Sequence, residues 1–246
     1  MGELKSYEYN PLLAGFHQEV VHMLVANWMT KNVVSLTPDR SMMKASKLMK
    51  DKAVSCMPIV DEEGKIKGMI SDRDIKDASP SKATTLDMHE LYYLLSEIKL
   101  QDIMTKKVVT IRADETVEKA AVLMLEGHFG SLPVVDENNV VVGIITDTDV
   151  FKVLVEISGV YSGGTQVCLQ IPTDAGSLAP VLELLKDHGA RIMSIMTRNV
   201  PETQGVKDVY IRIRDMEKPE FKRLKADMED KFQVQFWAVD PVHRVI

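Results

Sequence analysis

The sequence predicts an α+β chain: a β-α-β-β-α unit used twice, then a βαββαβ domain. Three observations predict it. Gly68-Met69-Ile70-Ser71-Asp72-Arg73-Asp74 recurs as Gly143-Ile144-Ile145-Thr146-Asp147-Thr148-Asp149, each position 75 residues on. The offset also holds outside that stretch: Met29-Thr30-Lys31 matches Met104-Thr105-Lys106, Pro58 matches Pro133, and Asp61 matches Asp136. An ungapped register of that length is duplication of a whole unit, too long for a solenoid repeat. Beyond residues 158–164 the pattern then changes to alternating strands with two helices between them.

The elements follow in order. Residues 1–22 lie outside the repeat; Phe16, Val20, Val21, Leu24 and Val25 have amphipathic helix spacing. The first repeat takes residues 23–80. Residues 33–36 read as a short strand closed by Pro38, and Asp39 reads as the cap of a helix holding Met42, Met43, Ala45 and Met49. Residues 53–61 and 66–70 read as paired strands around the turn Glu62-Glu63-Gly64-Lys65, and Ser71 starts a helix. Residues 81–99 connect the repeats through a helix whose apolar stripe is Leu91, Leu94, Leu95 and Ile98. The second repeat, 100–158, repeats the order, with its turn at 136–139 and its last helix over 150–157. Residues 159–164 are a linker by composition. In 165–241, the strand–helix–strand–strand–helix–strand order is the ferredoxin-like split arrangement.

Composition excludes several classes. At 246 residues, with 45% hydrophobic and 27% charged, the chain is of ordinary globular make-up. Its net charge of −6 argues against a nucleic-acid partner, which needs a basic face. The apolar run at 140–145 is far too short to span a bilayer, and the start Met1-Gly2-Glu3 shows no signal-peptide core. Cys56 and Cys168 sit far apart in apolar runs and read as buried reduced thiols, which suits a cytoplasmic location. They fit no metal site. The 15 methionines mostly fall at core positions and read as packing. With no P-loop, GxGxxG, HExxH or nucleophile elbow, and no candidate cysteine nucleophile, no enzyme and no obligatory cofactor are expected.

The motifs carry a resemblance. Met-Thr-x-x-Val at 29–33 and 104–108, apolar-Pro-apolar-apolar-Asp at 57–61 and 132–136, and Gly-x-x-Ser/Thr-x-x-Asp twice make the duplicated unit similar to a tandem pair of CBS domains, a Bateman module. The last domain resembles an ACT domain, on Asp174-Ala175-Gly176-Ser177-Leu178 between its first strand and first helix. The combination, with Leu86-Asp87-Met88-His89-Glu90-Leu91-Tyr92-Tyr93-Leu94-Leu95 between the repeats, is similar to the CBS–ACT proteins of acetoin utilisation, a name that reports a genetic association. It covers about residues 23–240.

What the resemblance implies is a regulatory sensor of an adenosine-containing nucleotide: AMP, ADP, ATP, NAD or S-adenosylmethionine. One cleft would take Thr30, Val54, Ser55 and Pro58 with Thr146 and Asp149. The other would take Thr105, Phe129, Gly130 and Pro133 with Ser71, Arg73 and Asp74. Backbone groups of the strand before each proline would read the adenine edge. ACT domains imply a small effector, often an amino acid, near Asp174, Gly176, Ser177 and Leu178, which makes an amino-acid sensor acting through that domain an alternative; both kinds of domain imply a homodimer acting on a regulated protein.

Other readings stand beside these. A hydroxyl at a strand-to-helix turn can donate to phosphate, and an aspartate one turn on can accept from ribose. The same Ser/Thr-x-x-Asp spacing is also a capping box, which needs no ligand. The chain is then an interaction scaffold with empty clefts. Arg73, whose counterpart is Thr148, suits a phosphate or is a solvated helix residue. Phe129 and Gly130 replace Val54 and Ser55 and either stack on an adenine or block it. His128 reads as a surface histidine. Lys106, Lys107 and Arg112 line the same mouth or are ordinary surface charge. Gly176 admits a ligand or only makes the turn.

Overall fold

The computed structural model describes residues 23–79, 96–200 and 205–241. They divide into two compact units, Met1–Thr146 and Asp147–Ile246. The last helix of the second repeat therefore belongs to the second unit.

In the first unit, α1 (Val25–Trp28) leads into α2 (Met42–Lys52), which forms because Met42, Ala45 and Met49 recur at helical spacing and bury one face. Its cap corrects the sequence reading. Ser41 holds the N-cap geometry and its Oγ accepts from the Lys44 amide at 3.3 Å, while the Asp39 carboxylate accepts from the Thr37 hydroxyl instead. Ala53 ends α2 in the left-handed region at φ 52°, so the expected strand from 53 begins only at β1 (Cys56–Val60). β1 pairs antiparallel with β2 (Ile66–Ser71), around a turn where Gly64 takes φ 79°. The expected strand 33–36 reduces to one parallel bridge, Leu36 to Ile59. The chain turns at Lys31–Val33 and again at Thr37–Arg40, which leaves no length for a ladder.

The second repeat follows the same course. It runs through α4 (Leu100–Ile103), β3 (Ile111–Arg112), α5 (Val117–Gly127), β4 (Ser131–Val135) and β5 (Val141–Thr146), after α3 (Asp72–Ala78) of the first. Its sheet has the order β3-β4-β5, and the bulge at Ile59/Val60 recurs at Val134/Val135. Of the expected helix between the repeats, residues up to 95 lie outside the described ones, as does the stretch 1–22. Lys99 is already extended, at φ −90° and ψ 150°, and bridges Ser41.

Each repeat completes the other. The Leu100 amide donates to Arg40 O and the Val25 amide to Glu115 O; the Met42 amide donates to Ile98 O and the Val117 amide to Met23 O, all at 2.9 Å. Every donor and acceptor has its counterpart 75 residues on, so the two repeats are related by an approximate twofold. Leu100, fully buried, packs into the core of the first repeat with Met42, Met49, Met57, Ile59 and Ile70. Burying a side chain of that size stabilises by about 1.5–3 kcal/mol.

The second unit begins with α6 (Asp147–Ser158), three residues longer at its start than expected. The linker is more ordered than its composition suggests: Val160–Ser162 makes a 3-10 turn between Gly159 and Gly163, both at positive φ, and Gly164 already opens β6 (Gly164–Pro172). Then come α7 (Ala179–Asp187), β7 (Ile192–Asn199), β8 (Val206–Ile213), α8 (Lys218–Lys231) and β9 (Gln233–Asp240). The sheet order is β7-β8-β6-β9, antiparallel throughout. Alternation sends Val167, Leu169, Val209 and Ile211 to one face, where Leu185 and Leu224 of the two helices close the core.

Candidate functional site

Ser71 stands where β2 turns into α3. Its hydroxyl donates to Asp74 Oδ2 at 2.6 Å, its amide donates to the same oxygen at 2.7 Å, and the Asp74 amide donates back to Ser71 Oγ at 3.3 Å. This is a complete capping box, which satisfies the helix start with no ligand. It uses one carboxylate oxygen; Oδ1 is outside the box. Arg73 lies on the outer side of the same turn, with 90% of its side chain exposed and Nε 3.9 Å from Asp77. At that distance and exposure the pair holds the guanidinium weakly.

Two reciprocal contacts bring further residues to this edge. The Met69 and Thr105 amides each donate to the other's carbonyl at 2.9 Å, which seats exposed Thr105 beside β2, two residues before Ser71. Only glycine allows that approach at Gly68, where an added Cβ would lie 2.5 Å from Met104 Sδ and 3.0 Å from Thr105 O. Cys56 Sγ lies 2.9 Å from Ser131 Oγ, and Cys56 is the strand partner of Ser71. Ser131 opens β4, so exposed Phe129 and Gly130 come just before that contact, and Pro133 is buried two residues beyond it. These contacts join the strand pair that leads to Ser71, Arg73 and Asp74 both to Thr105 and to β4, which begins just after Phe129 and Gly130 and holds Pro133.

The twofold counterpart is built alike. The Thr30 amide donates to Ile144 O at 2.9 Å, the Ile144 amide donates back at 3.0 Å, and Met29 Sδ rests against Gly143. Thr146 pairs with Ser131, and Pro58 is buried in β1. Val54 is half-buried and Ser55 exposed. Asp149 belongs to the second unit, where it is 7% exposed, with Oδ1 2.9 Å from Lys152 Nζ.

Some expectations are corrected. The Val54 amide donates to Met49 O, the Phe129 amide donates to Met124 O, and Ser55 O accepts from the Asp72 amide at 2.8 Å. Those two amides are therefore not donors to a base edge. Cys56 is half-buried rather than buried, with its Sγ beside Ser131 Oγ; Cys168 is buried as expected, and burial pushes its thiol up. Arg112 is held by Asp114 at 3.2 Å and Glu137 at 3.5 Å, which makes it surface charge, as exposed Lys106 and Lys107 are. His128 is exposed and caps α5 from the left-handed region.

In the second unit, Gly176 takes φ 82° with open space around it, Ser177 Oγ donates to Pro172 O at 2.7 Å, and Leu178 is the N-cap residue of α7. Asp174 O accepts from the Ser177 amide at 3.2 Å. The glycine is accounted for by its turn. One cluster was not read from the sequence: Asp208, 5% exposed, accepts from Arg198 at 2.7 Å, Gln170 at 3.0 Å and Tyr210 at 3.4 Å. The Arg198 bond, then that of Gln170, holds its carboxyl below the usual range. The signal was strand register, since Asp208 pairs with both Gln170 and Arg198. Among the described residues, no cluster of three His, Cys, Asp or Glu is placed to hold a metal, and no helix is long and apolar enough to cross a membrane.

Comparison with known proteins fits this duplicated architecture. The CBS domain family model matches residues 25–81 and again 100–156. A CBS domain-containing protein of Dictyostelium discoideum is 30% identical over 135 residues, which is 55% of this chain and 93% of that protein. Homoserine O-acetyltransferase of Methanosalsum zhilinae is 32% identical over 151 residues, 61% of this chain but 27% of the enzyme. This chain therefore spans about a quarter of such enzymes' length. Among solved structures, a CBS domain pair in complex with 5′-methylthioadenosine and S-adenosyl-L-methionine is 30% identical (53% of this chain, 94% of that one, TM-score 0.45). CBSX2 in complex with AMP is 31% identical (56% and 99%, TM-score 0.46), and an acetoin utilisation protein from Vibrio cholerae is 27% identical (57% and 96%, TM-score 0.47). The family model and the Dictyostelium relative carry the assignment: the chain belongs to the CBS-domain proteins and holds two such domains in tandem.

Proposed function

We propose that this chain is a non-catalytic regulatory sensor that binds an adenosine-containing nucleotide at the CBS pair. The observation that supports the reading is that the Met69–Thr105 and Cys56–Ser131 contacts join the elements carrying Ser71, Arg73, Asp74 and Thr105 to the start of β4, just after Phe129. This edge offers a hydroxyl and a loosely paired guanidinium for phosphate, a carboxylate oxygen outside the capping box for ribose, and an exposed ring for a base. The twofold edge at Thr30, Val54, Ser55, Pro58 and Thr146 is read as a second cleft of the same kind. AMP, ADP, ATP, NAD and S-adenosylmethionine are the candidate ligands.

The C-terminal domain is read as a ferredoxin-like ACT domain, supported by its element order and by the Asp174–Leu178 turn. It dimerises the chain or takes a small effector there. A homodimer is also favoured by exposed Leu125 on α5 and by exposed Phe151 and Leu154 on α6. Ligand binding then shifts the chain between states read by a regulated protein, which requires different affinities in the two states. The acetoin-utilisation context remains part of this proposal.

One observation favours a second reading. The Ser71–Asp74 box closes by itself, as it would in an interaction scaffold with empty clefts. Calorimetric titration of nucleotide-stripped protein with the five candidates separates the two. Saturable binding supports the sensor; flat traces from folded protein favour the scaffold.

A further inference from the structure

Gly127 is the last residue of α5, and its backbone gives no reason for a glycine. The left-handed position that ends the helix is taken by the next residue, His128, at φ 54°, and Gly127 is not among the glycines at positive φ. The first repeat has Lys52 and Ala53 at these two places, with Ala53 at φ 52°. A side chain is thus compatible with this backbone, and glycine in a helix is unfavourable relative to alanine.

The reason is a ring. A Cβ on Gly127 would lie 2.5 Å from Phe129 Cδ2 and 2.8 Å from Cζ, inside any real carbon contact. The Phe129 amide is fixed to Met124 O at 2.9 Å, so the ring rather than the backbone would have to move. Phe129 is 38% exposed, and its first-repeat counterpart is Val54, beside Lys52. Ring and glycine occur together in one repeat and are absent together from the other.

We propose that Gly127 is a positioning residue. It lets Phe129 lie against the end of α5, where the exposed ring forms a flat wall that stacks on the base of a purine nucleotide. This rests on the sensor reading and adds that the Phe129 cleft recognises the base by its face. It also explains how recognition survives although the Phe129 amide is used internally. Removing a stacking aromatic costs about tenfold to a hundredfold in affinity.

The test is AMP calorimetry on the full chain in a Thr30→Ala background, meant to weaken the other cleft. Phe129→Val, copying Val54, should weaken binding at least tenfold. Gly127→Ala should weaken it comparably by expelling the ring, while its thermal midpoint is no lower than that of the parent. The double variant should bind like Phe129→Val alone, because without a ring the new methyl displaces nothing. Gly127→Ala binding like the parent, or fully additive losses in the double variant, overturns the proposal. Should Gly127→Ala alone not fold, the equality of Phe129→Val and the double variant decides. Wild-type protein that binds no AMP sinks the sensor reading itself. Wild-type binding lost in the Thr30→Ala background places the ligand in the other cleft and sinks only this inference.

Discussion

The two repeats share a backbone and differ in what they mount on it. The reciprocal bonds Leu100–Arg40 and Val25–Glu115, Met69–Thr105 and Thr30–Ile144, recur 75 residues apart, as do the left-handed caps Ala53 and His128. Side chains at matching places diverge: Lys47 and Lys50 on α2 correspond to Val122 and Leu125 on α5, and Lys52 and Val54 to Gly127 and Phe129. The difference teaches that duplication preserved what closes each core on the other repeat, while the surfaces and clefts specialised. Only the second repeat carries a ring at this position, Phe129 where the first has Val54.

The largest expected effect breaks the shared part. Leu100→Ala should destabilise the chain by about 2–5 kcal/mol, since it empties the first repeat's core. Val25→Ala, its twofold partner, should cost less because fewer methyl groups are removed. Denaturant unfolding checks both; a neutral Leu100→Ala would mean the exchange between repeats does not hold them together.

Next come the close approaches. Gly68→Ala should cost about 1–3 kcal/mol, and more than Gly143→Ala, since the added Cβ meets backbone Thr105 O at 3.0 Å but Thr30 O at 3.3 Å. Thermal midpoints of the two variants rank them. Ser71→Ala removes an N-cap and should cost about 1 kcal/mol even with no nucleotide present.

The smallest effect lies on the surface. Asp61 is held below its ordinary value of 3.8 by the hydrogen bond from Lys67, at 3.0 Å, and Val142 occupies the matching place in the second repeat. A depressed carboxyl lends stability above its unfolded value, and that contribution is lost as pH falls through the lower folded value. Lys67→Val should therefore return Asp61 toward 3.8 in an NMR titration, with little change in stability at neutral pH. An unmoved titration would contradict the pairing.

Much of this was legible in the sequence, for physical reasons. Period and turn residues are local, so the paired strands read at 53–61 and 66–70 (found at Cys56–Val60 and Ile66–Ser71), the helix starting after Ser71 and the order of the last domain's elements could be read from the chain. Ser41 displacing Asp39 as the cap could not, because both residues are competent and the outcome depends on where the helix begins. The strand 33–36 failed as its pattern is apolar but its neighbours turn the chain away. The exchange between repeats was invisible because it joins residues as far apart as Val25 and Glu115. At the edge, Ser71, Asp74 and Thr105 announced themselves as motif residues. Gly127 did not, since its role is visible only against the ring of Phe129.

The most direct test of the central claim is AMP calorimetry of stripped wild-type protein beside Asp74→Ala and Arg73→Ala. The account predicts saturable wild-type binding, lost from one cleft in Asp74→Ala and weakened in Arg73→Ala, with the Arg73→Ala thermal midpoint unchanged. Flat traces for folded wild-type protein with all five candidate nucleotides, or binding untouched by Asp74→Ala, would contradict it and leave the Ser71–Asp74 pair as a helix cap alone.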